Sequence, residues 1–459
     1  MSGNRRADVT ERSPSGHLSL QELTALADIG DIATVLVVAP DLQGRFAGKR
    51  YTAAGFLDSV AGGAALMCTY VLDRDVENQP FDHAWDGGFD DMLMVPDMTT
   101  LRRAAWLPRS AIVICDLHYR DGSPVDYSPR QILRRQIERL AQRQLSARAA
   151  SELEFIFYRT GYDEAMLSGY RDLRPALLYN TDFNTLGPTA VEDYLAPLRD
   201  VLRRTGLTVE DCKGESNNGQ LEINFRYTDV LTMADEHIIY KEAAKSLARE
   251  HGGSVTFMPK VNEREGNSCH IHMSIWQESN PAFVDQHGNR TPLFESFLAG
   301  QIAHLRELTY FFAPNVNSYK RFADRSFAPT NIAWGEDNRT CSLRVVGEGK
   351  GLRFENRIGG GDCNPYLAFS AMIAMGLRGL ENNYALEPPV TGNAYQLDGR
   401  RKLAKGLPES LDALQSSDLA REAFGTNVVE HYLVAGWHEQ REFSMAVTDW
   451  ELRRNFERL

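Results

Sequence analysis

A mainly apolar run, interrupted only by Thr34, spans Ile32–Pro40 (IATVLVVAP), and the β-branched stretch Ile32–Ala39 reads as a buried strand. Residues 20–30 before it read as a short helix. Gly44 and Gly48 in DLQGRFAGKR (Asp41–Arg50) suit a hairpin carrying basic residues, and Ala111–Cys115 reads as a further strand. The expected organisation is a mobile terminus over 1–19, a small β-rich domain over 20–120, and a linker at Asp121–Arg130 (DGSPVDYSPR). From Gln131 the period changes. Leu133, Ile137 and Leu140 stand at i, i+4 and i+7, on one face of a helix. Short strands then interleave with helices such as Ala234–Glu250 and Pro365–Asn382, so 121–459 reads as one α+β domain.

Strand periodicity places charge where an apolar face is expected. In ASELEFIFY, Glu152 and Glu154 share one face while Leu153, Phe155 and Phe157 share the other. In NSCHIHMSIW, His270, His272 and Ser274 lie opposite Ile271, Met273 and Ile275. LRFENRIGG puts Arg353, Glu355 and Arg357 together, and Glu215 and Glu222 bracket a glycine turn in ESNNGQLEINF. Any one of these residues alone reads as a solvated strand face. Their joint occurrence on apolar-backed strands points to a metal site, because clustered carboxylates repel unless cations neutralise them. Carboxylates with one imidazole suit Mg²⁺ or Mn²⁺ rather than structural zinc. Arg321, Arg339, Arg344, Arg353 and Arg357 with Lys350 then suggest phosphate handling.

Composition narrows the class. Hydrophobic residues make 43% of 459 and charged residues 24%, the proportions of a soluble globular protein. No apolar run reaches the roughly 18 residues of a membrane span, and residues 1–16 show no secretory signal. Six scattered cysteines without a CxxC pair indicate reduced thiols and a cytoplasmic location. A net charge of −12 disfavours nucleic acid and mildly favours cationic partners. Walker A and GxSxG motifs are absent, which disfavours P-loop and nucleophile-elbow chemistry.

Taken in order, ASELEF, GQLEINF, VTFMPK with REGNSCHIHMS, NSYKRF, APTNIAWGEDNRTCSLRV and RFENRIGGGDCNPYLAFSAMIA resemble the motif series of the glutamine synthetase family. DLQGRFAGKR and GFDDMLMVPDMTTLRRAAWLP resemble its N-terminal domain. The resemblance implies a β-grasp N-terminal domain, a catalytic domain with a curved antiparallel sheet, and a dodecamer of two stacked hexameric rings whose sites form between neighbours. It also implies two or three Mg²⁺ or Mn²⁺ ions per site, with ATP as co-substrate. Glu154, Glu215 and Glu222 match ligands of the metal nearer glutamate. Glu152, His270 and Glu355 match ligands of the metal nearer the ATP phosphates. Gly266, Arg321 and Arg357 match the glutamate positions, and Arg339, Arg344, Lys350, Arg353, His272 and Ser274 the nucleotide and phosphate side. In the implied mechanism the γ-carboxylate of glutamate attacks ATP, and an amine displaces phosphate from γ-glutamyl phosphate.

The sequence departs from the ammonia-using pattern in two places. Phe327 stands where those enzymes carry a flap glutamate, and MCTY (Met67–Tyr70) replaces an Asp-Gly-Ser-Ser that binds ammonium, with Asp73 or Asp75 as possible substitutes. Glu265 also replaces the usual Asn before the matching glycine. The pattern resembles the γ-glutamylpolyamine and γ-glutamylethanolamide synthetase branch, and a primary alkylamine is expected, with polyamines favoured by the acidic charge. A true glutamine synthetase and a non-catalytic relative are the alternatives. Tyr395 lies near a tyrosine adenylylated in some bacterial members, but its flanking residues match poorly and an unmodified surface tyrosine is expected.

Overall fold

The structure is a computed structural model that describes residues 16–397, 399 and 401–459. Helix α1 (Leu20–Asp28) opens on a capping box between Ser19 and Glu22. The expected mobile terminus lies outside the described residues over 1–15. Of residues 16–19, the Leu18 amide donates to Leu101 O at 3.0 Å and His17 pairs with Arg102 in a β-bridge.

The β-branched run becomes β1 (Thr34–Pro40), paired with β2 (Phe46–Thr52) through a hairpin in which Gly44 takes φ +68°. Helix α2 (Ala53–Ser59) follows, then β3 (Ala65–Cys68), β4 (Asp91–Pro96), β5 (Arg102–Arg103) and β6 (Ser110–His118). The sheet order is β2-β1-β6-β4-β3, with β5 on β6 and β1 parallel to β6.

Helix α3 (Pro129–Ala141) begins inside the segment expected to be a linker. Pro129 at its first turn suits a helix start rather than a break. Arg130 is buried and reaches both parts of the chain. Its guanidinium donates to Asp116 at 2.6 Å and Asp97 at 2.9 Å on the first sheet's side, and to Asp235 at 2.9 and 3.1 Å on a later helix.

A ten-stranded curved sheet carries the rest. It is built from β7 (Ser146–Tyr158), β8 (Val209–Gly214), β9 (Gln220–Phe225), β10 (Thr228–Asp229), β11 (Ser254–Thr256), β12 (Cys269–Gln277), β13 (Asn280–Pro281), β14 (Trp334–Glu336), β15 (Leu343–Val346) and β16 (Arg353–Asn356). Its main order is β14-β15-β16-β12-β7-β9-β8. Its strands pair antiparallel as expected, except at one edge, where β14 runs parallel to β15.

Helices α4 (Tyr162–Leu167), α5 (Leu186–Thr189), α6 (Glu192–Thr205), α7 (Val230–Glu250), α8 (Pro292–His304) and α9 (Pro365–Glu381) accompany this sheet. Leu153, Phe155 and Phe157 of β7 are fully buried, and rings of Phe155 and Phe157 lie against Tyr194 of α6. Burying these faces leaves the opposite face of β7 for polar residues. The chain continues through α10 (Leu407–Gln415), α11 (Asp418–Phe424), α12 (Thr426–Met445) and α13 (Asp449–Asn455). Among the described residues no helix is long and apolar enough to cross a membrane. Cys68, Cys115, Cys212, Cys269 and Cys363 are free thiols.

Candidate active site

Cross-strand register assembles the charged residues. Glu152 of β7 lies opposite His270 of β12, and Glu154 opposite Glu222 of β9. Glu355 of β16 lies opposite both His272 of β12 and Arg344 of β15. Directly opposed side chains are about 5 Å apart at Cβ, so pairing alone brings their tips within reach of a shared ion. Glu215, at the end of β8, joins them through the Gly219 turn.

Three overlapping groups result, each with ligand atoms within 4.8 Å of one another: Glu154–Glu215–Glu222, Glu152–Glu222–His270, and Glu152–His272–Glu355. The first is the expected set. The second and third divide the expected Glu152–His270–Glu355 set because Glu152 reaches both histidines, but its members still meet at His270, whose Nδ1 lies 3.6 Å from Glu152 and 3.4 Å from Glu355. His272, expected on the phosphate side, contacts Glu152 Oε1 at 2.7 Å and accepts from Arg353 at 3.2 Å.

Glu152, Glu154, Glu215, Glu222, His270 and Glu355 line a cleft of about 530 Å³, together with Gly266, Arg321, Phe327, Arg339, Arg344 and Arg357. His272, Ser274, Lys350 and Arg353, all expected on the nucleotide side, are not among its lining residues. Ser274 accepts from Trp276 Nε1 at 2.9 Å, and Lys350 is exposed on a turn.

The carboxylates differ in charge state. Burial raises Glu222 well above the usual range, and Glu154, Glu152 and Glu215 raise it further. Burial and Glu154 push Glu215 up to about 7 despite Lys213. Burial also opposes ionisation of Glu355, but Arg357, His270 and His272 outweigh it and hold the carboxyl at about 2. Glu152 is likewise held low by its two histidines against its burial. One end of the cleft is therefore neutralised by fixed cations. The other holds carboxylates whose repulsion favours protons or added cations. An oxygen-rich donor set of this kind fits Mg²⁺ or Mn²⁺.

The arginines are oriented by backbone. Arg321 Nη2 donates to Ile358 O at 2.5 Å and Gly359 O at 2.6 Å. Arg357 donates to Glu355 at 2.5 Å and to Phe327 O at 3.4 Å. The Nε atoms of both are buried without a partner among the described residues, which suits an incoming carboxylate. A Cβ on Gly266 would meet Pro259 O at 2.1 Å and Arg321 Cγ at 3.1 Å, so only glycine lets this backbone lie against Arg321.

Phe327 stands on a loop with two left-handed residues, Arg325 at φ +62° and Phe327 at φ +57°. A bulky residue in that conformation is strained and persists only where contacts hold it. The Arg357 bond to its carbonyl and the Tyr395 hydroxyl, which donates to Ala328 O at 2.9 Å, supply such contacts. Tyr395 is thus partly buried rather than a free surface tyrosine. The Phe327 side chain is 57% exposed at the cleft.

Sequence reasoning missed Lys213, Gln220 and Ser268. Lys213 pairs with Glu215 and lies 3.5 Å from Asp182 and 3.9 Å from Glu222. Gln220 Nε2 and the Ser268 amide each donate to Glu154 at 2.9 Å. Gln220 sits in the quoted GQLE and was open to recognition. Lys213, in the polar strand VEDCKG, carries no such signal.

Residues 126–455 match the family model described as glutamine synthetase, catalytic domain. The chain is 47% identical to a gamma-glutamylethanolamide synthetase of Streptomyces coelicolor over 98% of both chains. It is 34% identical to a glutamate–isopropylamine ligase of a Pseudomonas species, covering 92% of this chain and 95% of that one. Among solved structures, a GmaS/ADP complex matches with TM-score 0.83 at 26% identity, over 95% of this chain and 100% of the other.

Proposed function

The chain belongs to the glutamine synthetase family, and from that premise we propose that it is an ATP-dependent ligase joining the γ-carboxyl of glutamate to a short primary alkylamine. One observation carries the choice of amine. The carboxylate cleft is complete, while an exposed Phe327 occupies its mouth on a strained, tethered loop. Ammonium is small and must be gripped and deprotonated by an acid–base group, which a phenyl ring cannot supply. The ring offers an apolar wall for methylenes and a face for a second cation. The names of the two relatives, an ethanolamide synthetase and an isopropylamine ligase, support the same substrate class, and ethanolamine is the first amine to test.

In this reading Arg321 and Arg357 hold the glutamate carboxylate, oriented by the backbone contacts described above. Arg339 and Arg344 face the nucleotide phosphates. Divalent ions, when bound by Glu152, Glu154, Glu215, Glu222, His270 and Glu355, would supply neutralisation of the carboxylates and Lewis-acid polarisation of phosphoryl oxygen. The γ-carboxylate oxygen attacks the terminal phosphorus of ATP, the bond to the ADP oxygen breaks, and γ-glutamyl phosphate forms. The amine lone pair then attacks the acyl carbon, phosphate leaves, and the nitrogen loses one proton. The guanidinium groups stabilise the charge that develops on the transferred group.

The neighbouring chain's N-terminal domain would complete each site in a ring-based dodecamer located in a reducing cytoplasm. Light scattering at about twelve times the 51.5 kDa chain mass would support that assembly, and a fully active monomer would exclude it.

The function is tested by phosphate release with glutamate, ATP and Mg²⁺ against ammonia, ethanolamine, isopropylamine, putrescine and spermidine at matched concentration. Ethanolamine should lead ammonia clearly. Phe327→Glu should move the alkylamine-to-ammonia ratio toward ammonia by about 10-fold or more, the scale of one misplaced contact in a specificity pocket. Ammonia as the best substrate would make the chain a glutamine synthetase. No amine-dependent turnover would make it non-catalytic.

A further inference from the structure

Three side chains outside the cleft meet where the segment after β3 crosses α12. Asp73 Oδ1 lies 2.9 Å from His83 Nε2 and 3.5 Å from His431 Nδ1. One ligand atom from each of the three falls within 4.8 Å of the others. His431 is oriented from two sides. Its ring stacks on Tyr127 at 4.2 Å, and its Nε2 contacts Leu72 O at 2.9 Å.

That last contact fixes the tautomer. A carbonyl can only accept, so Nε2 carries the hydrogen, and in the neutral ring Nδ1 turns a lone pair toward the Asp73 carboxylate. Two electron-pair donors facing one another call for a cation between them. Their 3.5 Å separation is longer than the ~2.7–2.9 Å of a charge-assisted hydrogen bond. It is close to the edge of about 3.4 Å expected between two ligands of a tetrahedral ion with bonds of ~2.0–2.1 Å. A backbone carbonyl that orients the distal imidazole nitrogen is also the outer contact that metal-binding histidines commonly have.

We propose that Asp73, His83 and His431 form a binding site for a first-row divalent transition ion of the Zn²⁺ type, distinct from the catalytic carboxylate cluster. Two imidazoles and one carboxylate suit such an ion and disfavour Mg²⁺, which takes oxygen ligands. A cavity of about 380 Å³, lined by Asp73, His83, Tyr119 and Tyr127, leaves a fourth position open to water. His83 is exposed and gives the ion an entry path, whereas His431 is largely buried on α12. Because two ligands lie after β3 and the third on α12, the ion would clip these segments together.

The test uses the purified, chelator-stripped full-length protein in saturating Mg²⁺, with Co²⁺ as the probe. Equilibrium dialysis counts bound Co²⁺, and visible absorption reports an imidazole-ligated ion of low coordination number. His83→Ala changes an exposed side chain and should fold. It should bind one Co²⁺ per chain fewer than wild type, with that ion held at least ~100-fold more weakly, beyond the ~10–100-fold cost of losing an outer contact. The visible bands should be lost with it. His438→Gln is the control, since His438 lies on the same helix and pairs with Asp75 at 3.4 Å, and it should retain the ion. Equal Co²⁺ content and spectra in wild type and His83→Ala would overturn the proposal, as would the same loss in His438→Gln.

Discussion

Two buried clusters of carboxylates in this molecule do opposite things. Between the first sheet and α7, Asp97, Asp116 and Asp235 each accept from the single guanidinium of Arg130, and Arg134 adds donors to Asp97 and Asp116 at 2.7 and 3.0 Å. In the cleft, Glu154, Glu215 and Glu222 face one another with Lys213 as the nearest side-chain cation among the described residues. The first cluster is satisfied from within and ties α3 to the first sheet's side and to α7. The second is held by neutral donors such as Gln220 and Ser268 against mutual repulsion, which makes it a receptor for cations. Burial of acid is common to both. What separates structure from site is whether the neutralising charge belongs to the chain.

The sharpest way to break that contrast is to remove one member of each cluster. Arg130→Met strands buried carboxylates and should cost about 3–5 kcal/mol, read as a lowered denaturation midpoint. Glu222→Gln removes a like charge and should leave the metal-free protein as stable as wild type or more so, while lowering ligase turnover more than about 100-fold. If both variants destabilise equally, the two clusters are the same kind of object.

A middle-sized effect comes from pH. Glu215 titrates near pH 7 in the folded chain, above its ordinary 4.5. For the metal-free fold, this raised value contributes stability that is present below the ordinary value and lost as pH rises through about 7. Divalent ions need the ionised form, so their stabilisation should run the other way. It should be largest above pH 7, about 2.7 kcal/mol for each ion at one hundred times Kd, and fade toward pH 5.5. Thermal scans with and without Mn²⁺ from pH 5.5 to 8.5 measure it. A metal-induced shift that does not vary over this range would remove the assignment of Glu215 as an ion-facing group. The smallest effect belongs to the loop beside the cluster. Tyr395→Phe deletes one hydrogen bond, worth about 0.5–1.5 kcal/mol, and should raise the amine KM with little change in global stability. A KM unchanged within error would mean that Tyr395 does not hold the Phe327 loop.

Much of the cleft was legible because strands have period two. Glu152 and Glu154 declare a face once Leu153, Phe155 and Phe157 declare the other, and His270 with His272 repeats the device. The ion groupings were less legible, since they depend on register. His272 is directly opposite Glu355, which no single strand discloses. Arg130 was hidden by its turn-like surroundings, where proline at a helix start looks like proline in a linker. The meeting of Asp73 and His83 with His431 is beyond any local pattern, because contact between residues so distant in sequence is a property of the packed chain. The parallel edge of β14 on β15 was invisible for the same reason.

The pairing of β7 with β9 and β12 carries a consequence for how the molecule fails. A slip of one residue in that register would turn Glu152 and Glu154 into the core and leave Leu153 facing the cleft. Intermediate geometries are not available, because side chains on a pleated strand have only two sides to occupy. The ligand set is then inherited whole or not at all. A population of damaged molecules would be a mixture of competent and inert particles rather than uniformly sluggish ones, and measured activity would count correctly paired sheets.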